Sequence, residues 1–513
     1  MKKKIQVFIS IYIISMVYVP LLFAASVTYS SQLTVSDVTE TLKKNRVFRN
    51  SDLSKLDLTE IDLSKISLHN SSLSEATLKK SRLADSLLIA TDLSECNLQG
   101  AEMTGLKSDN SNFTKADLRN ANMTCVALIS TIMTGADLSD ANLRYGIIRN
   151  SDLSNTVMNN TNLSFSLINA DMSNADLNRA DMHGACLSNV KLVNANMSNV
   201  NLSTAKMDDV NIKGSEKGGT VLAKANLSYA HIESSKMDYA LMGGAYMNGI
   251  TMNRVDLNFA DLSYANMSNA FIRSSEFNNA DLQYAVLADS SFVGIEFKDA
   301  KMSNADLKKA DLSGAVLTGA IMISVDLTGS DLSRANLKNT NLTGAKIEDV
   351  KLEGADLTNA MLDGAILKNI NLNNATLNGV MLKNADLKGS NLSGIKMNKA
   401  QLSGSYFNEV NFSYADLSFA VLSGCDLTNA SFQGANLTGS ELSGAILEGA
   451  ILKGCNLKNA VLANAKMNGA DLEGADIRGA DFTGVDITSV KNFELTKNRD
   501  KAKGLSNITP PAE

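Results

Sequence analysis

The sequence contains very little proline and no tryptophan. Only three of its 513 residues are prolines, and Pro20, Pro510 and Pro511 all lie close to the two ends. Proline removes a backbone N–H donor, so a long stretch without it can form uninterrupted backbone hydrogen-bonded ladders. The missing tryptophan is typical of an interior too narrow for an indole ring.

An excess of charge of one sign is also absent. The chain has 48 Lys and Arg against 54 Asp and Glu, which gives a net charge of −6. This charge is small for the length and argues against nonspecific binding of nucleic acid through a basic face. We therefore expect no nucleic-acid partner of that kind.

A five-residue repeat fills most of the chain. In "ADLSGAVLTGA" (residues 310–320), Leu312 is followed by Leu317, and Ala310 by Ala315 and Ala320. On an α-helix, five residues rotate the side chain by about 140°, so these leucines would form no common face. In a long strand, an odd period would place them on alternate faces. The period instead predicts a coil that turns every five residues, with the central residue and the one two before it facing inward.

The repeat holds its phase over several hundred residues. Central apolar residues fall at positions ending in 3 or 8 from Leu53 to Leu163, and in 2 or 7 from Met172 to Ile487. One residue is lost between Leu163 and Met172, where either Leu167 or Ile168 could be the centre. Only the quintets centred on Ser108 and Lys217 lack Leu, Met, Ile or Phe. We expect a tightened corner at the deletion and a bulge or small solvent-exposed loop at Lys217, whose amine is costly to bury.

Quintets such as ADLSG, ANLTG and ADLTN, which run from residue 51 to about 490, resemble the pentapeptide-repeat family. The resemblance implies an all-β solenoid, namely a right-handed quadrilateral β-helix with four quintets per coil. At twenty residues per coil it would have about 22 coils, with short helical caps at one or both ends. Asp or Asn before the centre would bond the corner backbone, and Gly at the last position would permit a positive φ.

The segments outside the repeat suggest four regions. Residues 1–25 read as a signal peptide, with lysines at 2–4, an apolar run from Ile5 to Phe23 and small residues for cleavage near Ala24 or Ser26; an uncleaved membrane anchor is the alternative. Residues 26–50 predict an N-terminal cap with a short amphipathic helix whose N-cap is Ser36. Residues 51–490 form the β-helix, and residues 491–513 a C-terminal cap with a flexible tail.

No pattern of catalytic, cofactor-binding or metal-binding residues interrupts the repeat. His69, His183 and His231 are far apart, and the separation of the last two does not fit a coil of twenty. Cys425 and Cys455 occupy inward positions on different levels, so we expect all five cysteines to be free thiols. We predict that the chain is not an enzyme and that it binds neither a cofactor nor a metal.

The outward positions provide the candidate partner-binding surface. When the second phase of the repeat (Met172 to Ile487) is folded at twenty residues per coil, several apolar residues fall in one column where Asp or Asn is usual. Aromatic residues concentrate between positions 229 and 284, where Tyr264 and Tyr284 are one coil apart and Tyr239 stacks over Phe259. An apolar ladder that merely stiffens the wall is the alternative interpretation, whereas exposed apolar patches of this extent usually mark interfaces. The candidate residues are Tyr229, Tyr239, Tyr246, Phe259, Tyr264, Phe271, Tyr284, Ile321, Met361, Met381 and Val421.

These observations predict a non-catalytic bacterial protein that is exported, periplasmic or secreted, and acts as a rigid scaffold or protein–protein interaction surface. Its partner would be a protein of unknown identity, with self-association as a further option and a membrane contact only if the signal segment stays uncleaved. The resemblance offers a DNA-mimicking, gyrase-binding protein as an alternative. The mixed charge, with Lys301, Lys308 and Lys388 facing outward, disfavours that alternative. A host-directed secreted effector is the third hypothesis.

Overall fold

The computed structural model describes residues 31–367 and 370–505; the predicted signal peptide (1–25) and the last residues of the predicted tail lie outside them. Each quintet forms one short extended segment and one corner. Leu312 N–H donates to the Asp331 carbonyl (2.7 Å), and Asp331 N–H donates back to the Ala310 carbonyl (2.9 Å). Leu312 and Ala310 are both buried. The inward positions predicted from the five-residue period are confirmed.

The corners are built by the residues that the sequence indicated. Asp311 Oδ1 accepts from the Ser313 N–H at 3.0 Å, and Ala315 N–H donates to the Leu312 carbonyl at 3.0 Å. Gly314 between them has φ +67°, a conformation that most residues disfavour. Asn, Asp and Lys occupy many of the other positive-φ corners, so glycine is one of several solutions here.

Four columns of extended segments run along the solenoid, and all the pairings between coils are parallel. We call them the sheet side, then the second, third and fourth sides in chain order; one early coil passes through Val47, Asp52, Asp57 and Asp62 in that order. The sheet side holds a twelve-stranded sheet in sequential order. Its strands are β1 Val47–Arg49, β2 Ser67–His69, β3 Leu87–Ile89, β4 Lys107–Asp109, β5 Ala127–Ile129, β6 Ile147–Asp152, β7 Leu167–Asp171, β8 Cys186–Ser188, β9 Lys206–Asp208, β10 His231–Glu233, β11 Thr251–Asn253 and β12 Phe271–Arg273.

The predicted all-β solenoid is therefore confirmed, but its regular sheet accounts for only part of the expected 22 coils. The twelve-stranded sheet corresponds to about 11 turns, because three-residue pairing on this side stops at Arg273. Isolated parallel bridges continue the twenty-residue spacing from Phe271↔Ser291 to Asp471↔Lys491, and the last two, Asp476↔Lys497 and Asp481↔Lys503, span slightly longer segments.

Both breaks in the repeat change the register. At the deletion, β7 pairs with β6 across a register shift between Arg149 and Ser151. The missing residue therefore produces a bulge in the preceding coil and a straight run through β7, not a tightened corner. Ile168 is the buried centre, and Leu167 is exposed.

The Lys217 quintet forms a small loop, as predicted. Ser215 and Gly218 pair in an antiparallel bridge, and Lys217 is exposed. The loop lengthens this coil by one quintet, so that Asn196 pairs with Val221.

The N-terminal end is covered by helix α1 (Val35–Lys44), which buries Val38. The predicted N-cap Ser36 is wrong, because Ser36 already lies inside the helix. Thr34 is the N-cap and forms a reciprocal capping box with Asp37. At the other end, 3₁₀ turns at Ile487–Ser489, Phe493–Leu495 and Arg499–Lys501 form corners of the last coil, which still pairs with the coil before it. There the Phe493 ring meets that of Phe482 at 5.9 Å.

The interior shows the stacking that a twenty-residue coil requires. Phe277 and Phe297, both buried, have ring centroids 5.1 Å apart, and Phe412 and Phe432 are also 5.1 Å apart. All five cysteines are free, as expected. Over the residues described, the helices are too short or too polar to cross a membrane.

Candidate protein-binding surface

The apolar column predicted from the sequence lies on the third side. Bridges join Leu241, through Asp261, Asp281 and Lys301, to Ile321 and then onward along the rod. Within it, Met361 pairs directly with Met381, whereas Gln401 and Glu441 flank Val421. The column is thus an apolar series with polar interruptions, in which Leu241 and Ile321 are exposed and Met361, Met381 and Val421 are half-buried.

Two aromatic stacks lie at the two edges of the third side. Tyr239 and Phe259 occupy the corner before it, with ring centroids 4.8 Å apart and planes within 4° of parallel. Tyr264 and Tyr284 occupy the corner after it, at 4.9 Å and 4°. Tyr264 leaves 66% of its surface exposed and Tyr284 48%. Stacked side chains on successive coils of a rigid ladder present a pre-ordered aromatic surface, which lowers the entropy lost on binding.

The other predicted aromatic residues do not join this surface. Tyr246 lies in the fourth-side column between Asn226 and Asn266. Tyr229 lies at the corner that follows the fourth side, where its ring covers the Gly249 backbone. Phe271 belongs to β12 on the sheet side. The guanidinium carbon of Arg273 lies over its ring, 4.2 Å from the ring centroid. The aromatic zone therefore wraps around the rod, and of its residues the four that edge the third side share a surface with Leu241, Asp261 and Asp281 of the column.

A second aromatic cluster was missed by the sequence reasoning. Tyr145 stacks on Phe165 at 5.6 Å, and the edge of Phe165 meets His183 at 5.2 Å. The Arg144 guanidinium lies 4.7 Å from the Tyr145 centroid, in cation–π geometry. The signal was available, since Tyr145 and Phe165 are twenty residues apart at corner positions. Sides of the coil were assigned only from Met172 onward, so the spacing of Tyr145 and Phe165 was not used.

The sheet side beside that cluster contains a shallow cavity of about 370 Å³. Arg149, Asn150, Leu167, Cys186 and Ser188 contribute to its lining. It lies where the register shift displaces β6 against β7. Its formation is a direct consequence of the single-residue deletion.

The aspartates at the corners are structural. The Asp57 carboxyl accepts from both the hydroxyl and the backbone N–H of Thr59, and these hydrogen bonds lower its pKa. Asp481 is held in the same way by Thr483, with the same lowering of its pKa. A pKa lowered in this way stabilises the charged acceptor at the corner and does not prepare an acid or base for catalysis.

The candidate nucleophiles are also poorly placed for catalysis. Burial raises the thiol pKa of Cys96 and Cys455 to about 12 and that of Cys425 to about 11, which keeps all three protonated. His69 and His183 each pair with a serine, Ser67 and Ser203, at 2.8 Å. Among the described residues, neither imidazole has a carboxylate on its second nitrogen, so no triad is assembled.

Comparison with known proteins identifies the repeat. The family model described as pentapeptide repeats (8 copies) matches successive segments from residue 71 to 216 and from 240 to 491. The unmatched stretch between them contains Lys217 and most of its loop. No curated protein matches the chain.

Several solved structures resemble parts of the chain. HetL, a pentapeptide repeat protein involved in heterocyst differentiation regulation in the cyanobacterium Nostoc sp., is 28% identical. That match covers 48% of this chain and 91% of HetL, with a TM-score of 0.23. QnrB1, a plasmid-mediated fluoroquinolone resistance protein, is 20% identical over 36% of this chain and 85% of its own, with a TM-score of 0.19.

A pentapeptide repeat protein from the Arabidopsis thaliana thylakoid lumen is 29% identical over 24% of this chain and 89% of its own, with a TM-score of 0.16. TM-scores this low carry no information about overall shape or function. The five-residue geometry and the family model, which matches well over half of the sequence, show that the chain belongs to the pentapeptide-repeat family.

Proposed function

We propose that the chain acts after export as a rigid, non-catalytic rod that binds another protein through its third side. The observation that carries the proposal is the Tyr264–Tyr284 stack, which is largely exposed although the rod has a continuous buried interior. Aromatic side chains held in place by a rigid ladder are typical anchors of protein–protein interfaces. The Tyr239–Phe259 stack extends this surface across the third side, where Leu241, Asp261 and Asp281 lie between the two corners.

Export rests on the sequence of residues 1–25, with three lysines before a long apolar run. Cell fractionation of the full chain and of a variant that lacks residues 1–25 tests this part. We expect the full chain outside the cytoplasm and the shortened chain inside it. The same location for both would contradict export.

Binding is tested with the double substitution Tyr264→Ser and Tyr284→Ser. Both side chains point away from the interior, so the β-rich circular dichroism spectrum and the melting temperature should change little. Protein partners captured by crosslinking should fall by at least about tenfold, because loss of two interface anchors costs more than about 1.4 kcal/mol. Light scattering on the same pair of proteins distinguishes self-association from binding of a different protein.

The matched control is Tyr406→Ser with Tyr414→Ser. These tyrosines are as exposed as the tested pair but lie on the fourth side and at the corner after the sheet side. We expect the control to retain every captured partner. Retained capture by the Tyr264/Tyr284 variant, together with a lowered melting temperature, would show that the stack stabilises the wall and does not bind a partner.

A further inference from the structure

Three metal-ligating side chains converge on the sheet side, on the two strands between which the chain makes the coil that contains the Lys217 loop. Because the loop lengthens the coil by one quintet, β9 and β10 pair with Lys206 beside His231 and Asp208 beside Glu233. Asp208, His231 and Glu233 each place one nitrogen or oxygen atom within 4.8 Å of the other two. The His231 Nε2 atom is 3.6 Å from Glu233 Oε2.

Neighbouring cations orient both carboxylates and leave one oxygen free on each. Lys206 Nζ contacts Asp208 Oδ2 at 2.6 Å, while Asp208 Oδ1 is buried and has no hydrogen-bond partner. Arg254 Nη2 and Asn253 Nδ2 both donate to Glu233 Oε1, at 2.5 and 3.3 Å. Glu233 Oε2 therefore faces His231. A free, oriented oxygen on each of two carboxylates beside an imidazole is the arrangement that protein metal sites use.

We propose that Asp208, His231 and Glu233 bind a divalent transition-metal ion, for which Zn²⁺ is the natural probe. One nitrogen and two oxygens match the ligands of many zinc sites, and water would complete a four-coordinate shell. Lys206 and Arg254 balance the charges of the two carboxylates. This disfavours Mg²⁺ and Ca²⁺, which depend on clustered negative charge, and favours an ion that gains from bonding to imidazole. All three ligands lie on adjacent strands of a stiff ladder, so little ordering is needed for binding.

The site also explains why the histidines seemed unconnected in the sequence. Their spacing was compared only with one another, whereas the partners of His231 are carboxylates. Asp208 precedes His231 by more than one ordinary coil, and the two lie on neighbouring strands only because the Lys217 loop adds an extra quintet between them.

Isothermal titration of the full chain with Zn²⁺ tests the proposal, with Mg²⁺ as the comparison ion. We expect about one Zn²⁺ per chain and no comparable binding of Mg²⁺. His231→Gln should weaken Zn²⁺ binding by more than the roughly 10–100-fold that loss of an outer hydrogen-bond partner costs. Glu233→Gln should do the same, and circular dichroism verifies that both variants remain folded. Equal Zn²⁺ affinity in wild type and both variants would overturn the proposal.

Two control variants separate this site from other Zn²⁺ ligands. His69→Gln removes another sheet-side histidine, one that pairs with Ser67. Cys125→Ser with Cys186→Ser removes the two thiols that are not fully buried. We expect both controls to bind Zn²⁺ like wild type. Loss of binding in either control would assign the ion to a different site.

Cobalt provides a second readout that surface ion pairing alone cannot produce. Co²⁺ bound by one imidazole and two carboxylates should give visible d–d absorption bands, which Asp208→Asn should weaken or shift. A Co²⁺ spectrum identical to that of the free aqueous ion would mean that the cluster is only a set of surface ion pairs.

Discussion

The sheet side closes its corners differently in the two halves of the rod. Up to β12, the residues on both sides of the buried centre pair with the next coil, as in Ala127↔Ile147 and Ile129↔Arg149, except between β7 and β8. Beyond it, only the residue before the centre pairs, as in Asp311↔Asp331. Most of the later corners contain glycine, such as Gly294 and Gly314, although Tyr414 occupies one of them, whereas the earlier ones contain non-glycine residues such as Ala90.

Buried hydroxyl groups account for part of this difference. In the later half, Ala315 N–H completes its turn by donating to Leu312 three residues back. In the earlier half, Thr131 N–H donates instead to the hydroxyl of Ser151 in the next coil, at 3.1 Å. A side-chain hydroxyl can therefore replace a turn hydrogen bond and keep the strand straight for longer. In these longer strands, the residues before and after the buried centre both point outward, and His231 and Glu233 are such a pair in β10.

The interior should behave alike in both halves. Leu128 and Leu312 are fully buried centres on the sheet side, one in each half. Leu128→Asp and Leu312→Asp each bury an unpaired carboxylate, so we expect each to lower the free energy of unfolding by roughly 4 kcal/mol or more. Leu→Met at each position should cost less than about 1.5 kcal/mol. Denaturant unfolding measures all four variants. A much smaller cost at one of the two aspartates would show that the halves differ inside as well as at the corners.

The sequence was sufficient to predict the repeating geometry. Leu312 and Ala310 recur with a period that neither a helix nor a flat strand allows, and Phe277 with Phe297 marks the length of one coil. These features depend on residues within one quintet or one coil, so the pattern contains all the information needed.

What could not be predicted depends on which residues meet across coils. Ser151 looks like any small inward residue, and its effect on Thr131 arises from a hydroxyl in a different coil. The Asp208–His231–Glu233 cluster depends on the exact length that the Lys217 loop adds. The loop itself was predicted, but the shift in strand pairing that follows from it was not. The partners of His231 were therefore missed.

Two buried serines near the boundary sharpen the comparison of the corners. The Ser275 hydroxyl accepts from Val255 N–H at 3.0 Å, and that N–H has no turn partner. Ser290 accepts from Ala270 N–H, which also donates to Met267 O. Ser275→Ala should therefore cost about 1–3 kcal/mol, the penalty of an unpaired buried N–H, and Ser290→Ala only about 0.5–1.5 kcal/mol. Chemical denaturation gives both values. A larger cost for Ser290→Ala would contradict the role assigned to the hydroxyl.

The smallest expected effect concerns two aspartates, Asp256 and Asp117, whose pKa values shift in opposite directions. Asp256 lies in the second-side column between Lys236 and Glu276. Burial, together with the charges of Asp238 and Glu276, raises its pKa above the ordinary value of 3.8. Earlier in the chain, the side-chain hydrogen bond from Arg119 lowers the pKa of Asp117. Ionised Asp256 thus destabilises the fold, whereas ionised Asp117 stabilises it.

Both contributions are present at pH 7 and change in opposite directions on acidification. Asp256 becomes protonated in the folded state first, as the pH falls through its raised pKa, and its penalty is gone below pH 3.8. The gain from Asp117 begins to fade at pH 3.8 and is lost below it, as the pH falls through the lowered pKa. Asp256→Asn should therefore raise the melting temperature slightly at pH 7 and leave it unchanged near pH 3. Asp117→Asn should lower it at pH 7. Melting curves of wild type and both variants at the two pH values check the signs, and a stabilising effect of Asp256→Asn that persists at pH 3 would mean that its charge is not the cause.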